Sequence, residues 1–278
     1  MIDSLLFIIT YYFKTHYTVY VTILKLKNNI FGMDKSYKII GLILSHNCAT
    51  MIEKTLSRIP IELFHEIIIT DDGSTDGSVE EYEKRGYKVF KSSKQGYGAN
   101  LKNGLKEAFN IGADYVVEIH GDGAQFHPDA TYEVVKKINN KPDLILGSRF
   151  LEKNKALSLG MPKIRYVANR VLSFIDRIIL QRNLSEFHTG YRVYNKTLNP
   201  IINKNFSNDY LFSFQIIAAA IANNLVVEEV SVKCEYSGEY TSHGYLGASI
   251  YAILHFLVLL HFLCYKYLKL KLGIFRNG

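Results

Sequence analysis

The chain has 278 residues, 48% of them hydrophobic and 21% charged, a balance that supports a packed core and excludes a disordered chain. A net charge of +7 and a pI near 9.0 suit anionic ligands or an acidic membrane surface. No Lys/Arg-rich run or nucleic-acid-binding module occurs, which argues against a nucleic-acid partner. Cys48, Cys234 and Cys264 are too few and too widely spaced for a disulfide framework or a CxxC metal site, which favours a reducing compartment.

Residues 1–34 read as an N-terminal hydrophobic or amphipathic extension. Two apolar runs, from Leu5 to Phe13 and from Tyr17 to Leu26, are broken by Lys14 and His16. Each is shorter than the ~20 residues a membrane span needs. No basic segment precedes them and no small-residue cleavage site follows, so a packing or interfacial helix fits better than a secretory signal. Met33-Asp34-Lys35 reads as a second possible start. The expectation is that residues 1–32 are dispensable for catalysis.

From Lys38 onward strands and helices alternate. Ile39 to Leu44 reads as a buried strand ending in Ser45-His46-Asn47, and Ala49 to Arg58 as a helix closed by Pro60. Glu66 to Thr70 is a second strand, followed by Asp71-Asp72-Gly73-Ser74-Thr75-Asp76-Gly77. A helix to about Arg85, a short strand from Tyr87 to Lys91 and a helix from Tyr97 to Ile111, entered through Gly96 and Gly98, come next. Tyr115 to Ile119 is a further strand, stopping at Gly121-Asp122-Gly123. A helix from Pro128 and a strand from Asp143 to Leu146, ending in Gly147-Ser148-Arg149, complete the series. This order predicts an α/β fold with a mostly parallel sheet covered by helices. Polar residues collect after each strand, on the edge where open α/β sheets bind ligands.

Asp122 sits between glycines that let a ligand approach the backbone. With His120, Gln125 or His127 nearby it is a candidate divalent-cation site; an acidic turn is the plainer alternative. Asp71 and Asp72 can accept from a nucleoside base and a ribose hydroxyl, while Ser74, Thr75 or Asp76 can cap the next helix. Neither GxGxxG nor GxxxxGK[ST] occurs, so a glycine-rich phosphate loop is not predicted.

Seven segments in order carry a resemblance. They are Ser45-x-Asn47, DDGSTDG at 71–77, KQGYGANLKNG at 94–104, GADYVVEIHGDGAQFHP at 112–128, GSRF at 147–150, GMPKIRYVANR at 160–170 and EFHTGYRVY at 186–194. Together they resemble the family 2 glycosyltransferases, in the branch of dolichyl-phosphate mannose synthase and other polyprenyl-phosphate glycosyltransferases. The resemblance spans about residues 36–240. It implies a GT-A (Rossmann-like) fold, a UDP- or GDP-sugar donor, a Mg²⁺ or Mn²⁺ ion and a polyprenyl-phosphate or glycan acceptor.

By position in that resemblance, Asn47, Asp71 and Asp72 contact the nucleoside, with Ser45, Ser74 and Gly96 beside them. Asp122 is the metal ligand of the DxD-type motif. His120 replaces the motif's first Asp, and Gln125 is one residue farther from Asp122 than usual, as if Ala124 were inserted. His120 and Gln125 are the other candidate ligands. Arg149 and Arg165 meet an acceptor phosphate or the leaving diphosphate. His188 orients the donor phosphates or joins the metal site, and Glu186 stands where the family often has Asp.

Gly160 to Gln181 places Lys163, Arg165, Arg170 and Arg177 among apolar residues, either a solvated basic helix face or a phosphate-capturing one. Asn208-Asp209 opens a predicted helix from Tyr210 to Asn223. Asp209 is either its N-cap or the general base that a hydroxyl acceptor requires; a phosphate acceptor requires none. Leu225 to Tyr236 alternates like an edge strand. Residues 241–278 form the last unit, in which Leu246 to Tyr265 lacks Asp, Glu, Lys and Arg and reaches spanning length. Lys266, Lys269, Lys271 and Arg276 mark the tail as cytoplasmic, on the side of a nucleotide-sugar site. One span cannot place both flanks on one side, so an in-plane or re-entrant helix fits better, and an oligomer-interface helix is the remaining alternative. The expected activity is an inverting, metal-dependent glycosyltransferase at the cytoplasmic membrane face. The altered DxD motif leaves a non-catalytic nucleotide-sugar-binding or scaffold protein as the alternative.

Overall fold

The computed structural model describes residues 37–202, 205–236 and 245–277. The N-terminal extension, with Met33 and both apolar runs, lies outside the described residues. Strand β1 (Ile39–Ser45) is buried throughout and forms the centre of the sheet. Its side chains alternate: Ile40, Leu42 and Leu44 enter one core, Ile39 and Ile43 the other. That period of two is why the strand reads as a continuous apolar run when helices cover both faces.

Strands β2 (Glu66–Asp71), β3 (Lys88–Lys91), β4 (Tyr115–His120), β5 (Leu144–Ser148), β6 (Arg192–Asn195) and β7 (Val227–Ser231) complete a sheet of order β3-β2-β1-β4-β6-β5-β7. β1 pairs in parallel with both β2 and β4, and β5 with β7. Only β6 among the described strands runs against its neighbours, β4 and β5. β7 is an edge strand, as its alternation predicts. The chain leaves β1 toward β2 and β3, then returns to its other side as β4. That reversal makes a topological switch point between β1 and β4.

One face carries α1 (Ile52–Ser57), α2 (Ser78–Lys84) and α4 (Thr131–Lys137), whose Ile52, Tyr82 and Val134 pack on β1, β2 and β4. The other carries α3 (Tyr97–Asn110) and α7 (Phe212–Ala222). Between them in the chain lie α5 (Lys155–Ser158) and α6 (Lys163–Leu180). α7 is apolar all round and almost wholly buried, as a helix enclosed by its neighbours must be. It starts at Phe212, two residues after the predicted Tyr210, and no side chain caps it. The N-cap expected of Asp209 is therefore absent: its carboxylate accepts the Tyr210 N–H at 2.6 Å in the turn before the helix. Helix α8 (Tyr245–Leu268) packs on α6 and α7.

Candidate active site

The registers place the acidic tips on one rim. Leu44 of β1 is level with Thr70 of β2 on one side and with His120 of β4 on the other. Asp72 and Asp122 each lie two residues further on, across two strand spacings, roughly 10 Å.

On the β2 side the carboxylates stitch loops together. Asp71 accepts from Ser45 Oγ at 2.8 Å, from the Ser74 N–H at 2.8 Å and from the Ser74 hydroxyl. Asp72 accepts the N–H groups of Gln95 and Gly96, both at 2.9 Å. Asn47 is left-handed at φ 49° and exposed; its amide oxygen accepts the Thr75 N–H at 2.9 Å, and its own N–H donates to Ser74 Oγ at 2.8 Å. These bonds build a rigid shelf from Ser45, Asn47, Asp71, Asp72, Ser74 and Gly96. Gly96 is required: at φ 103° a Cβ would lie 2.6 Å from the Asn208 carbonyl oxygen. That approach brings the 207–209 loop, with exposed Asp209, to the N-terminus of α3.

On the β4 side Asp122 is half-buried, and among the described residues its one hydrogen bond is from the Gln125 N–H at 3.5 Å. Ala124 takes up the extra residue of the motif in a left-handed turn at φ 51°, fully buried. The turn is held from α1, a feature the sequence reading missed. Thr55 Oγ1 donates to the Gly121 carbonyl at 3.0 Å and accepts the Gly123 N–H at 2.9 Å. Arg58 donates to the Gly123 carbonyl at 2.8 Å and pairs with Glu235. Replacing Thr55 by Val is therefore expected to lower stability by about 1–3 kcal/mol, read by urea denaturation, because it strands two buried backbone groups. Thr55→Ser keeps both bonds.

The other candidate ligands are partly engaged. The Gln125 side-chain amide donates to the Glu235 carbonyl at 2.9 Å, leaving its oxygen. His120 Nε2 faces Glu118 Oε1 at 3.0 Å. Glu118 is fully buried inside β4 and also accepts the hydroxyls of Tyr97 and Tyr194, with Arg192 at 3.6 Å. A charged residue within an apolar strand run was the signal that could have revealed this network. His127 Nε2 lies 3.6 Å from Glu235 Oε1.

Burial works against the Glu118 charge, but the His120 bond and the Arg192 charge outweigh it and hold the carboxyl below its ordinary 4.5. For His120, burial likewise opposes the charge, and the Glu118 carboxylate outweighs it, raising the imidazole above 6.5. The depressed carboxyl adds stability above its unfolded value and loses it as the pH falls through its folded value. The raised imidazole adds stability below its unfolded value and loses it as the pH rises through its folded one. The pair thus contributes most between pH 4.5 and 6.5. A melting-temperature profile is expected to fall away on both sides, and Glu118→Gln to flatten it.

Tyr210 stacks on Tyr97 at 5.0 Å between the two sides of the rim. Burial, then the charges of Asp209 and Asp122, raise its phenol above the ordinary value. Gly190 closes the floor: a Cβ there would lie 2.4 Å from the Phe126 ring and 2.9 Å from His120. Gly190→Ala is expected to cost about 1–3 kcal/mol through overpacking, measured by thermal melting.

Arg149 is not a free cation. It is 7% exposed, pairs through Nε and Nη2 with fully buried Glu186, and donates to the His188 carbonyl at 3.2 Å. Arg165 is partly exposed and makes no ion pair among the described residues. His188 lies against α6 and α8: its Nε2 meets Asp176 Oδ2 at 2.9 Å, and its Nδ1 meets the Tyr251 hydroxyl at 3.2 Å.

The family model described as glycosyl transferase family 2 matches residues 42–200, from β1 to just beyond β6. The chain belongs to glycosyl transferase family 2. It is 26% identical over 268 residues to the UDP-N-acetylglucosamine–dolichyl-phosphate N-acetylglucosaminyltransferase of Methanococcus voltae, covering 85% of this chain and 97% of that one. It is also 26% identical over 135 residues to an undecaprenyl-phosphate mannosyltransferase of Micrococcus luteus, covering 46% of this chain and 54% of that one. Among solved structures it superposes on glucosyl-3-phosphoglycerate synthase of Mycobacterium tuberculosis in complex with Mn²⁺, UDP-glucose and phosphoglyceric acid. There the TM-score is 0.61 at 16% identity, with 82% of this chain and 80% of that one covered. The fold is GT-A, the chain is a glycosyltransferase, and the resemblance to the polyprenyl-phosphate branch read from the seven segments holds.

Proposed function

We propose that the chain transfers a sugar, with inversion, from a nucleotide-diphosphate sugar to a polyprenyl phosphate at the cytoplasmic membrane face. The observation that carries this reading is the uncommitted carboxylate of Asp122 on the same rim as the Asp71–Asp72 shelf. Residues 35–240 are the catalytic domain in this reading, and residues 241–278 its membrane element. The shelf takes the nucleoside, with Asp71 and Asp72 fixing its walls. Asp122 fits a Mg²⁺ or Mn²⁺ ion, since among the described residues one of its oxygens has no hydrogen-bond partner, and the side-chain oxygen of Gln125 or Nδ1 of His120 can assist. Such an ion would neutralise the diphosphate and stabilise the leaving nucleotide. Arg165, without an ion pair among the described residues, is the cation that draws in the acceptor phosphate. A phosphate oxygen is already ionised and attacks without a base; exposed Asp209, on the loop against the N-terminus of α3, serves as base if the acceptor is a hydroxyl.

The membrane reading rests on two helices. Ile164, Val167, Val171, Phe174 and Ile178 form a stripe along α6, each between 53% and 75% exposed. Their spacing puts all five on one helix face, the pattern of an interfacial helix. Interspersed Lys and Arg had made this segment read as a basic face. α8 is the one described helix long and apolar enough to cross a membrane, counted as Ser249–Arg276. Its Ile250, Ile253, Leu254, Leu257 and Leu260 are exposed, while His255, Val258, Leu259 and Phe262 pack inward. Being seated on the protein along one side supports an in-plane rather than a spanning helix.

Thermal shift with UDP- and GDP-sugars, with and without Mn²⁺, tests the donor: the true donor raises the melting temperature only with the ion. Flotation with anionic vesicles tests the surface. Ile164→Glu with Phe174→Glu is expected to cut vesicle binding at least about tenfold by removing two buried apolar side chains. Unchanged binding would reject the membrane role of α6.

A further inference from the structure

Behind the rim, α6, α8 and the segment before β6 meet at a cluster the sugar-transfer reading does not use. Asp176 of α6 is fully buried, and each of its carboxylate oxygens faces one imidazole. His188 Nε2 lies 2.9 Å from Oδ2, and His255 Nε2 of α8 lies 2.7 Å from Oδ1. The three ligand atoms fall within 4.8 Å of one another. We propose that Asp176, His188 and His255 form a second cation site, distinct from Asp122, that takes one first-row transition ion such as Zn²⁺ and staples α8 to the catalytic domain.

Three observations carry the assignment. First, among the described residues the only ion-pair partners of Asp176 are these two imidazoles; no Lys or Arg reaches it. A buried carboxylate without a permanent cation is costly, and a bound ion supplies the missing charge. Second, the Asp176 carboxylate turns one oxygen to each imidazole, Oδ2 to His188 Nε2 at 2.9 Å and Oδ1 to His255 Nε2 at 2.7 Å, so one acid gathers both ring nitrogens. Third, Nδ1 of His188 is fixed by the Tyr251 hydroxyl at 3.2 Å, the outer-shell support that sets which ring nitrogen faces an ion.

The ligand set selects the ion. Two imidazoles and one carboxylate suit Zn²⁺, Fe²⁺ or Co²⁺, whereas an oxygen-dominated site around Asp122 suits Mg²⁺ or Mn²⁺. The location gives the role. The ligands come from positions 12 and 79 residues away from Asp176, and the ion would tie the apolar helix α8 to α6. The inference stands whether or not the sugar acceptor is a lipid.

The test uses the full chain, stripped with chelator and titrated with Co²⁺ in excess Mg²⁺. Visible d–d absorption is expected to saturate at one equivalent, to persist in Asp122→Ala, and to bleach on adding Zn²⁺. His255→Gln is expected to weaken Co²⁺ binding at least about 100-fold. X-ray absorption of the Zn²⁺-loaded wild-type chain, which needs no variant, should show two imidazoles in the first shell. Absence of the cobalt bands in the wild type, bands unchanged in a folded His255→Gln, or a first shell without imidazole would each overturn the site. Loss of the bands in Asp122→Ala would do so as well, by assigning the ion to the rim.

Discussion

Asp122→Ala is expected to lower sugar transfer on the order of 10³-fold while leaving the melting temperature within the scatter of surface substitutions. The two halves of that expectation come from the same geometry. Among the described residues the Asp122 side chain has one hydrogen bond, from the Gln125 N–H at 3.5 Å, so removing it strands no strongly bound partner. The turn itself is held by Thr55 and Arg58 through backbone atoms and survives the truncation. What is lost is the negative charge that would hold a cation against the diphosphate. Asp122→Asn should behave like Ala, because shape is kept and charge is not. Activity of wild-type enzyme in EDTA should fall comparably, and Mn²⁺ should cease to enhance donor-induced thermal stabilisation in the variant. Full transfer by Asp122→Ala, with wild-type response to EDTA, would remove the cation from the mechanism. In contrast, Gln125→Ala should change transfer only severalfold, since its amide is already committed to the Glu235 carbonyl at 2.9 Å.

How much of this was readable in advance follows from where each feature resides. A strand tip is local: an apolar run, then Gly, Asp or Ser. The runs ending at Ser45, Asp71 and His120 became β1, β2 and β4, and their tips share a rim because parallel neighbours end together. β6 spans only four residues, Arg192–Asn195, with charge and amide at its ends, too short for a period to show. The stripe of α6 was hidden because Lys163, Arg165, Arg170 and Arg177 interleave with it, and only exposure separates the two faces. The cluster of Asp176, His188 and His255 joins three separate segments, 12 and 79 residues apart, and has no local signature at all. Arg149 shows the same limit from the other side. Its position after a strand was legible; the buried acid that occupies it, 37 residues on, was not.

That pair yields the largest expected effect on stability. Arg149→Met should destabilise the fold by about 3–5 kcal/mol, because it leaves the Glu186 carboxylate buried without its cation. For a domain of this size that is a fall in melting temperature of roughly 10 °C. Arg149→Lys should recover only part, since a point charge cannot replace the guanidinium that meets Glu186 through both Nε and Nη2. The informative variant is the double replacement Arg149→Met with Glu186→Leu. Removing both charges from a site 6% and 0% exposed trades an ion pair for apolar packing and should restore most of the lost stability, as buried pairs commonly allow. Its activity then decides what the arginine does. If Arg149 only braces the loop that carries His188, the folded double variant keeps donor-induced stabilisation and most of its transfer rate. If it also holds a phosphate, as the resemblance implies, the double variant folds but its donor or acceptor KM rises at least about tenfold. Since the Glu186 carboxylate occupies two of the guanidinium nitrogens, the first outcome is the expected one.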